Sequence, residues 1–244
     1  LTGTNQLEAA STFYNQLIDI DPYNASYWVG LAKCRFAAED CEKAIEACDF
    51  ALAADDKCGE AYAYRGHSYF YLNNSDAAIE DYKKAIKYKA LPPEMGYMFL
   101  GLTYSNKEAW KEADDYYQRV IDRFIEEGLG NSPLLIDTYT NKAVAASRLG
   151  KYEEAHQLCK KAIAIQPDDP AIYLAEGKLY IQENQKKKAV KSFDKALTME
   201  PSAEMWYMVA SAYSDAEYLY QAKLCFQEAY RIDPRETECP QPDA

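Results

Sequence analysis

Six small residues recur along the chain at nearly constant spacing, and this repeat limits the possible folds more than any other feature. They are Ala32, Gly66, Gly101, Ala143, Gly177 and Ala210, at intervals of 34, 35, 42, 34 and 33 residues. A large aromatic residue stands four positions before each: Trp28, Tyr62, Tyr97, Tyr139, Tyr173 and Trp206. An alanine stands twelve positions after each: Ala44, Ala78, Ala113, Ala155, Ala189 and Ala222. A period in this range indicates an array of similar supersecondary units.

The spacing within each repeat predicts a helical hairpin. Residues three, four and seven positions apart lie on one face of an α-helix. Two helices can approach closely only where a small side chain lies at their crossing. One further residue on each second helix fills the space beside the crossing: Cys48, Tyr82, Tyr117, Cys159, Phe193 and Phe226. Pro167, Pro201 and Pro234 end second helices, because proline cannot continue them.

This pattern closely resembles the tetratricopeptide repeat. The unit from Ala171 to Pro201 matches the family signature through Tyr173, Gly177, Tyr180, Ala189, Phe193, Ala196 and Pro201. The resemblance implies an all-α fold, in which tandem helix-turn-helix repeats stack into a right-handed α-solenoid. We expect a repeat domain over residues 1–234 and an irregular tail over 235–244. The domain divides into a half repeat at 6–22 and full repeats at about 25–58, 59–92, 94–127, 133–168, 170–201 and 203–234.

The resemblance also implies that the first helices line a concave groove that binds partners. The groove residues expected on this basis are Tyr64, His67, Met98, Leu102, Asn141, Val144, Lys178 and Tyr207. Methionine and aromatic side chains suit an apolar partner segment. For Met98 and Leu102 the alternative is packing against neighbouring repeats, whereas Tyr64 and His67 are expected to face the groove. The basic clamp by which some family members hold acidic chaperone tails is missing, because Lys33 is followed by His67 and Leu102 at the matching sites.

Charge and cysteine content restrict the partners and the compartment. The net charge of −12 argues against nucleic-acid binding, which needs clustered lysine and arginine. No apolar run reaches the roughly 18–20 residues of a membrane span. Seven cysteines form a poor disulfide framework and indicate packed thiols, which favours the cytoplasm. A periplasmic or secreted form with a removed signal stays open as the alternative.

Enzyme chemistry finds little support in the sequence. The two histidines form no zinc-helix motif, and neither a glycine-rich phosphate loop nor a nucleophile elbow occurs. Cys34, Cys41 and Cys48 step by seven residues, but their places in the repeat indicate packed thiols rather than metal ligands. We therefore expect no cofactor, no metal and no catalytic residue.

The leading hypothesis is a non-catalytic scaffold that binds a peptide or helical segment of a partner. The alternatives are a regulatory or assembly arm of a larger protein, and a structural spacer that self-associates through uncapped ends.

Overall fold

A computed structural model describes residues 2–128, 130 and 132–234 of the chain, and side chains from residue 6 onward. These residues form thirteen α-helices and no strand. The helices are α1 (Thr2–Ile20), α2 (Ala25–Ala37), α3 (Cys41–Ala54), α4 (Gly59–Tyr71), α5 (Ser75–Lys87), α6 (Pro93–Asn106), α7 (Trp110–Glu127), α8 (Pro133–Arg148), α9 (Tyr152–Ile165), α10 (Pro170–Gln182), α11 (Lys186–Met199), α12 (Ala203–Asp215) and α13 (Leu219–Ile232). The all-α hairpin architecture predicted from the repeat is confirmed. The predicted tail, 235–244, lies outside the described residues.

The chain divides into two compact units, Leu1–Arg123 and Phe124–Ala244. In the first unit α1 packs on α2, and α2–α3 and α4–α5 form two successive hairpins. The helix α6 packs on α5, and most of α7 also belongs to this unit. The second unit consists of the hairpins α8–α9, α10–α11 and α12–α13, together with the last turn of α7. Within the second unit, the first helices α8, α10 and α12 pack against one another in order.

At Gly66, Gly101 and Gly177 the second helix presses its filler side chain against the first helix. A Cβ atom added to Gly177 would lie 2.3 Å from the Phe193 ring, and one added to Gly101 would lie 2.5 Å from Tyr117. Such distances leave no room for a methyl group. At Ala32 and Ala143 the small residue is alanine and the filler is the smaller cysteine in the same register, and all four of these side chains are buried. In the last hairpin Ala210 is paired instead with Phe226, which is only half-buried. In the first five hairpins, therefore, a larger small-site residue goes with a smaller filler.

All six hairpin turns use the same backbone conformation. The residue seven positions after each small site has a positive φ angle: Glu39 (62°), Asn73 (56°), Glu108 (58°), Gly150 (75°), Asn184 (57°) and Glu217 (62°). The left-handed conformation closes the first helix, because the next N–H can then donate to a carbonyl five residues earlier, as Gln185 does to Tyr180 at 2.8 Å. Glutamate is uncommon in this conformation, which explains why the sequence marks these turns only weakly.

A further repeating contact joins the two helices of a hairpin. In four hairpins a cation twenty-two residues after the first-helix tyrosine lies over its ring, within the range of cation–π attraction. The pairs are Lys84 on Tyr62 at 4.8 Å, Arg119 on Tyr97 at 5.9 Å, Lys161 on Tyr139 at 5.6 Å and Lys195 on Tyr173 at 3.9 Å. In the hairpin α2–α3 the equivalent Phe50 stacks on Trp28 at 4.5 Å. The second helix is thus fixed by a ring contact as well as by the small-residue crossing.

Candidate functional site

Within each unit, the residues that follow the small sites form a half-buried row along the first helices. The row consists of Lys33, His67 and Leu102 in the first unit, and of Val144, Lys178 and Ser211 in the second. Three residues before each small site, the side chains are instead mostly buried, as at Val29, Ala63, Met98 and Leu174. Tyr207 occupies this second position in the last hairpin and is 42% exposed. We call the surface that carries the half-buried row the first-helix face.

In the first unit, the predicted middle of the groove is occupied by its own side chains. His67 Nδ1 lies 3.0 Å from the Tyr82 hydroxyl, and the His67 ring meets the Phe99 ring edge to face at 4.6 Å. The Met98 side chain is buried, with 6% of it exposed, so it does not line an open groove. Tyr64 is half-buried, with the Lys33 ammonium 5.4 Å from its ring centre. Leu102 is half-buried too.

An ion-pair cluster ties three helices of the first unit together. The Arg65 guanidinium on α4 donates to both carboxylate oxygens of Asp81 on α5, at 2.7 and 2.8 Å. It also donates to Asp49 on α3. The hydrogen bonds to Asp81, more than those to Asp49, raise the pKa of Arg65. The Asp81 side chain is only 4% exposed, so this cluster serves packing rather than ligand binding.

The second unit has a hollow of about 470 Å³ on its first-helix face. Three successive first helices and the turns that follow them line it: Ala143, Val144, Ser147, Arg148, Ala175, Lys178, Leu179, Ile181, Gln182, Asn184, Ala212, Asp215, Ala216 and Tyr218. One alanine from each of α8, α10 and α12 is among these lining residues: Ala143, Ala175 and Ala212. Its volume is in the range of sites that bind small molecules or single side-chain groups of a partner.

Two of the residues expected from the sequence, Val144 and Lys178, line this hollow, whereas Asn141 and Tyr207 do not. The Asn141 amide donates to the backbone oxygen of Asp137 at 2.8 Å, one turn earlier on the same helix. The Tyr207 ring packs on the edge of Phe226 at 5.3 Å. Of the eight groove residues expected from the sequence, only Val144 and Lys178 line this hollow of the second unit.

Polar groups at the rim of the hollow are mostly paired with one another. The Ser147 hydroxyl donates to the Gln182 amide oxygen, and the Tyr218 hydroxyl donates to the Asn184 amide oxygen at 2.8 Å. Lys178 differs from them, because its ammonium has no hydrogen bond or ion pair within the described part of the chain. Burial lowers the pKa of Lys178, and nearby Arg148 lowers it further, while Asp215 acts in the opposite direction.

Several residues that line the hollow could have been predicted from their positions in the sequence repeat. Arg148, Gln182 and Asp215 each stand five positions after a small site, so they share one register on α8, α10 and α12. That position follows the half-buried row by four residues and lies one turn further along the same face. Reading both registers across the last three hairpins would have placed these residues around one opening.

The last hairpin exposes several large apolar side chains, and we call Tyr207, Tyr220, Leu224, Tyr230 and Ile232 together the end face. Tyr220 is 71% exposed and Leu224 47% exposed. In the other hairpins the residues equivalent to Tyr220 are all charged: Glu42, Asp76, Lys111, Glu153 and Lys187. Those equivalent to Leu224 are all polar: Glu46, Glu80, Asp115, Gln157 and Lys191. The last hairpin therefore carries apolar residues at two positions where the other hairpins expose charged or polar residues to water.

Metal-binding clusters and membrane-spanning helices are both absent from the part of the chain that the structure describes. No three histidine, cysteine or acidic side chains are grouped so that they could hold a metal ion among residues 2–128, 130 and 132–234. None of the helices in those residues has the length and hydropathy needed to cross a bilayer. Six cysteines are free thiols there, and four of them are buried: Cys34, Cys48, Cys159 and Cys225.

Family models for the tetratricopeptide repeat match most of the chain. One matches residues 94–168, a second matches 147–212, and a third matches 59–90 and 203–236. Among solved structures, a tetratricopeptide repeat protein from Parabacteroides merdae superposes with a TM-score of 0.77 at 18% identity, covering 96% of this chain and 90% of that one. YrrB, described as a TPR protein with an unusual peptide-binding site, has a TM-score of 0.60 at 20% identity, covering 79% and 94%.

The curated relatives are much longer than this chain. Protein O-mannosyl-transferase TMTC3 of Homo sapiens is 28% identical over 181 residues, which is 67% of this chain and 20% of that protein. A DnaJ homolog subfamily C member 7 homolog of Dictyostelium discoideum is 27% identical over 146 residues, which is 56% of this chain and 27% of that protein. The chain thus spans about a fifth to a quarter of the length of these relatives.

The burial of His67 predicts a pH-dependent loss of stability. Burial lowers the pKa of His67 from 6.5 to about 4. Between these values the unfolded chain binds a proton that the folded chain does not, so the free energy of unfolding should fall as the pH is lowered from 6.5 towards 4. The slope from this residue approaches about 1.4 kcal/mol per pH unit.

Urea unfolding at several pH values measures this slope, with His67→Gln as the comparison. Carboxylates titrate in both proteins, so only the difference between the two slopes reports on His67. The wild type should lose more stability than the variant over this interval. Equal slopes would show that His67 is not desolvated as described.

Proposed function

Because the chain belongs to the tetratricopeptide-repeat family, we propose that it is a non-catalytic scaffold that binds a segment of a partner protein on the first-helix face of its second unit. The observation that carries this proposal is the hollow lined by α8, α10 and α12. A single hairpin could not form it, because each of the three first helices contributes one wall. A peptide or a helix of the partner would lie across these helices and place one side chain in the hollow.

The lining of the hollow supports binding rather than catalysis. Its lining includes alanine and aliphatic side chains, together with polar groups of which four are held by hydrogen bonds to one another. Such a combination fixes the orientation of a bound segment. Neither histidine lines it, since His67 contacts Tyr82 and Phe99, and His156 Nε2 lies 2.8 Å from a carboxylate oxygen of Glu183. The peptide-binding site described for YrrB supports the same class of ligand, by analogy of fold.

Filling the hollow should abolish binding without unfolding the protein. Val144 is half-buried at the opening, so the indole of Val144→Trp can occupy the space that a partner side chain needs. We expect peptides selected from a phage-displayed library of random 12-residue sequences to bind this variant about tenfold or more weakly. The matched control is Gln157→Trp, which adds the same ring to the exposed side of α9.

Fluorescence anisotropy with labelled peptides gives the two affinities, and circular dichroism verifies the helix content of each variant. Full affinity in Gln157→Trp and loss in Val144→Trp support the proposal. A library that yields no binder, or binders that both variants hold equally, would contradict it.

Self-association is a second candidate function, favoured by the end face. Exposed tyrosine and leucine at sites that are charged or polar in the other hairpins would be buried if this surface met another copy of the chain. Sedimentation velocity of the intact chain should then show dimers or larger species that Leu224→Lys converts to monomers. A monomeric wild type across a hundredfold range of concentration would rule this candidate out.

A further inference from the structure

The first unit has an opening of about 940 Å³ beside two of its hairpin turns. Residues 36–42 line it where α2 ends and α3 begins, together with Tyr71 and Leu72 at the end of α4. We call this opening the turn cleft. None of the eight groove residues expected from the sequence lines it, and it shares no residue with the hollow of the second unit. The turn cleft is therefore a separate candidate site.

Part of the turn cleft is an apolar surface that is open to water. Tyr71 is 69% exposed and Leu72 is 46% exposed. The Tyr71 ring meets the half-buried Phe36 ring edge to face at 5.5 Å, so the two rings form one continuous surface. None of the other hairpins has an aromatic residue at the position of Tyr71, where they carry Ala37, Asn106, Arg148, Gln182 and Asp215. The repeat itself therefore does not require a tyrosine here.

The rest of the lining is mostly acidic. Glu39, Asp40 and Glu42 come from the turn between α2 and α3 and from the start of α3. The Asp40 carboxylate accepts hydrogen bonds from the Lys43 backbone N–H at 3.2 Å and from the Lys43 ammonium at 2.8 Å. The exposed side chains of Glu39 and Glu42 have no ion pair or hydrogen bond within the described residues. Two carboxylates are therefore available to a ligand.

This combination of surfaces selects a cation with an apolar body. An arginine side chain can lay its planar guanidinium on an aromatic ring, donate hydrogen bonds to carboxylates and pack its aliphatic stem on apolar groups. An anion would be repelled by the three acidic residues and by a chain whose net charge is −12. The opening is larger than one side chain needs, so an apolar neighbour of the arginine can enter with it and cover Leu72.

We propose that the turn cleft binds an arginine side chain of a partner segment, with the guanidinium against the Tyr71 ring and within reach of the Glu39 and Glu42 carboxylates. An apolar residue beside this arginine packs on Leu72. The site goes beyond the proposed function, because it lies in the first unit and does not use the hollow of the second. It gives the protein a binding surface for basic, apolar segments.

Selection from a peptide library tests for this ligand. A phage-displayed library of random 12-residue sequences is depleted on the Tyr71→Ser/Leu72→Ser variant and is then selected on the wild-type chain. Both replaced side chains are exposed, so the variant should keep its helix content, which circular dichroism verifies. The selected peptides should carry an arginine next to an apolar residue.

Two double variants connect this arginine to the acidic residues. In fluorescence anisotropy, replacing the arginine of the tightest peptide by glutamine should weaken its binding to the wild type about fivefold or more. The same replacement should have little effect on binding to Glu39→Gln/Glu42→Gln, which lacks the two carboxylates. The matched control is Glu46→Gln/Glu112→Gln, which removes two charges from exposed positions outside the turn cleft and should show the full effect.

Three results would overturn this inference: a selection that enriches no peptide, selected peptides that lack arginine, and an arginine effect that persists in Glu39→Gln/Glu42→Gln. The variant Val144→Trp separates this site from the hollow of the second unit. Peptides in the turn cleft should bind this variant with unchanged affinity. Weaker binding to it would place the peptides in the hollow, which would overturn the inference and support the proposed function.

Discussion

The contact between a small residue on the first helix and a filler side chain on the second sets the geometry of every hairpin. At Gly177 the Phe193 ring occupies the space that a methyl group would need, and at Gly101 the Tyr117 ring does the same. At Gly66 a methyl group would lie 3.1 Å from the Tyr82 ring, which is a tight contact. Protein interiors are packed closely enough that one additional methyl group at such a point forces the helices apart. Because the contact recurs in each hairpin, it also fixes the register of every other residue relative to it.

That register explains why distant residues of the second unit meet at one opening. Val144 and Lys178 each follow a small site directly, and Arg148, Gln182 and Asp215 each follow one by five residues. When three hairpins stack with the same crossing, these positions fall on the same face. The hollow then depends on which side chains occupy them. Alanines from three helices line the hollow of the second unit, whereas in the first unit the rings of His67, Phe99 and Tyr82 contact one another.

The fold could be predicted from the sequence because it depends on local periodicity, but the site could not be predicted fully. The beginning of α8 at Pro133 follows from a rule about the first helical residue. The packing of His67 does not, because it depends on Phe99, which the next hairpin contributes. The glutamates in the left-handed turns and the cations over tyrosine rings were equally hidden. The turn positions and the cation positions both recur regularly along the chain. A glutamate does not by itself indicate a left-handed turn, however, and a lysine or arginine does not by itself indicate a contact with a tyrosine ring.

A double-mutant cycle at the crossing between α10 and α11 tests most directly whether volume matching sets the geometry of a hairpin. Gly177→Ala should lower the free energy of unfolding by about 1–3 kcal/mol through overpacking. Phe193→Cys should lower it by about 3–5 kcal/mol, because it leaves a cavity. The double variant recreates the alanine–cysteine pairing found at Ala32 and Cys48, so its loss should be smaller than the sum of the two by about 1 kcal/mol or more. Losses that simply add would contradict the claim that volume matching at this contact sets the hairpin.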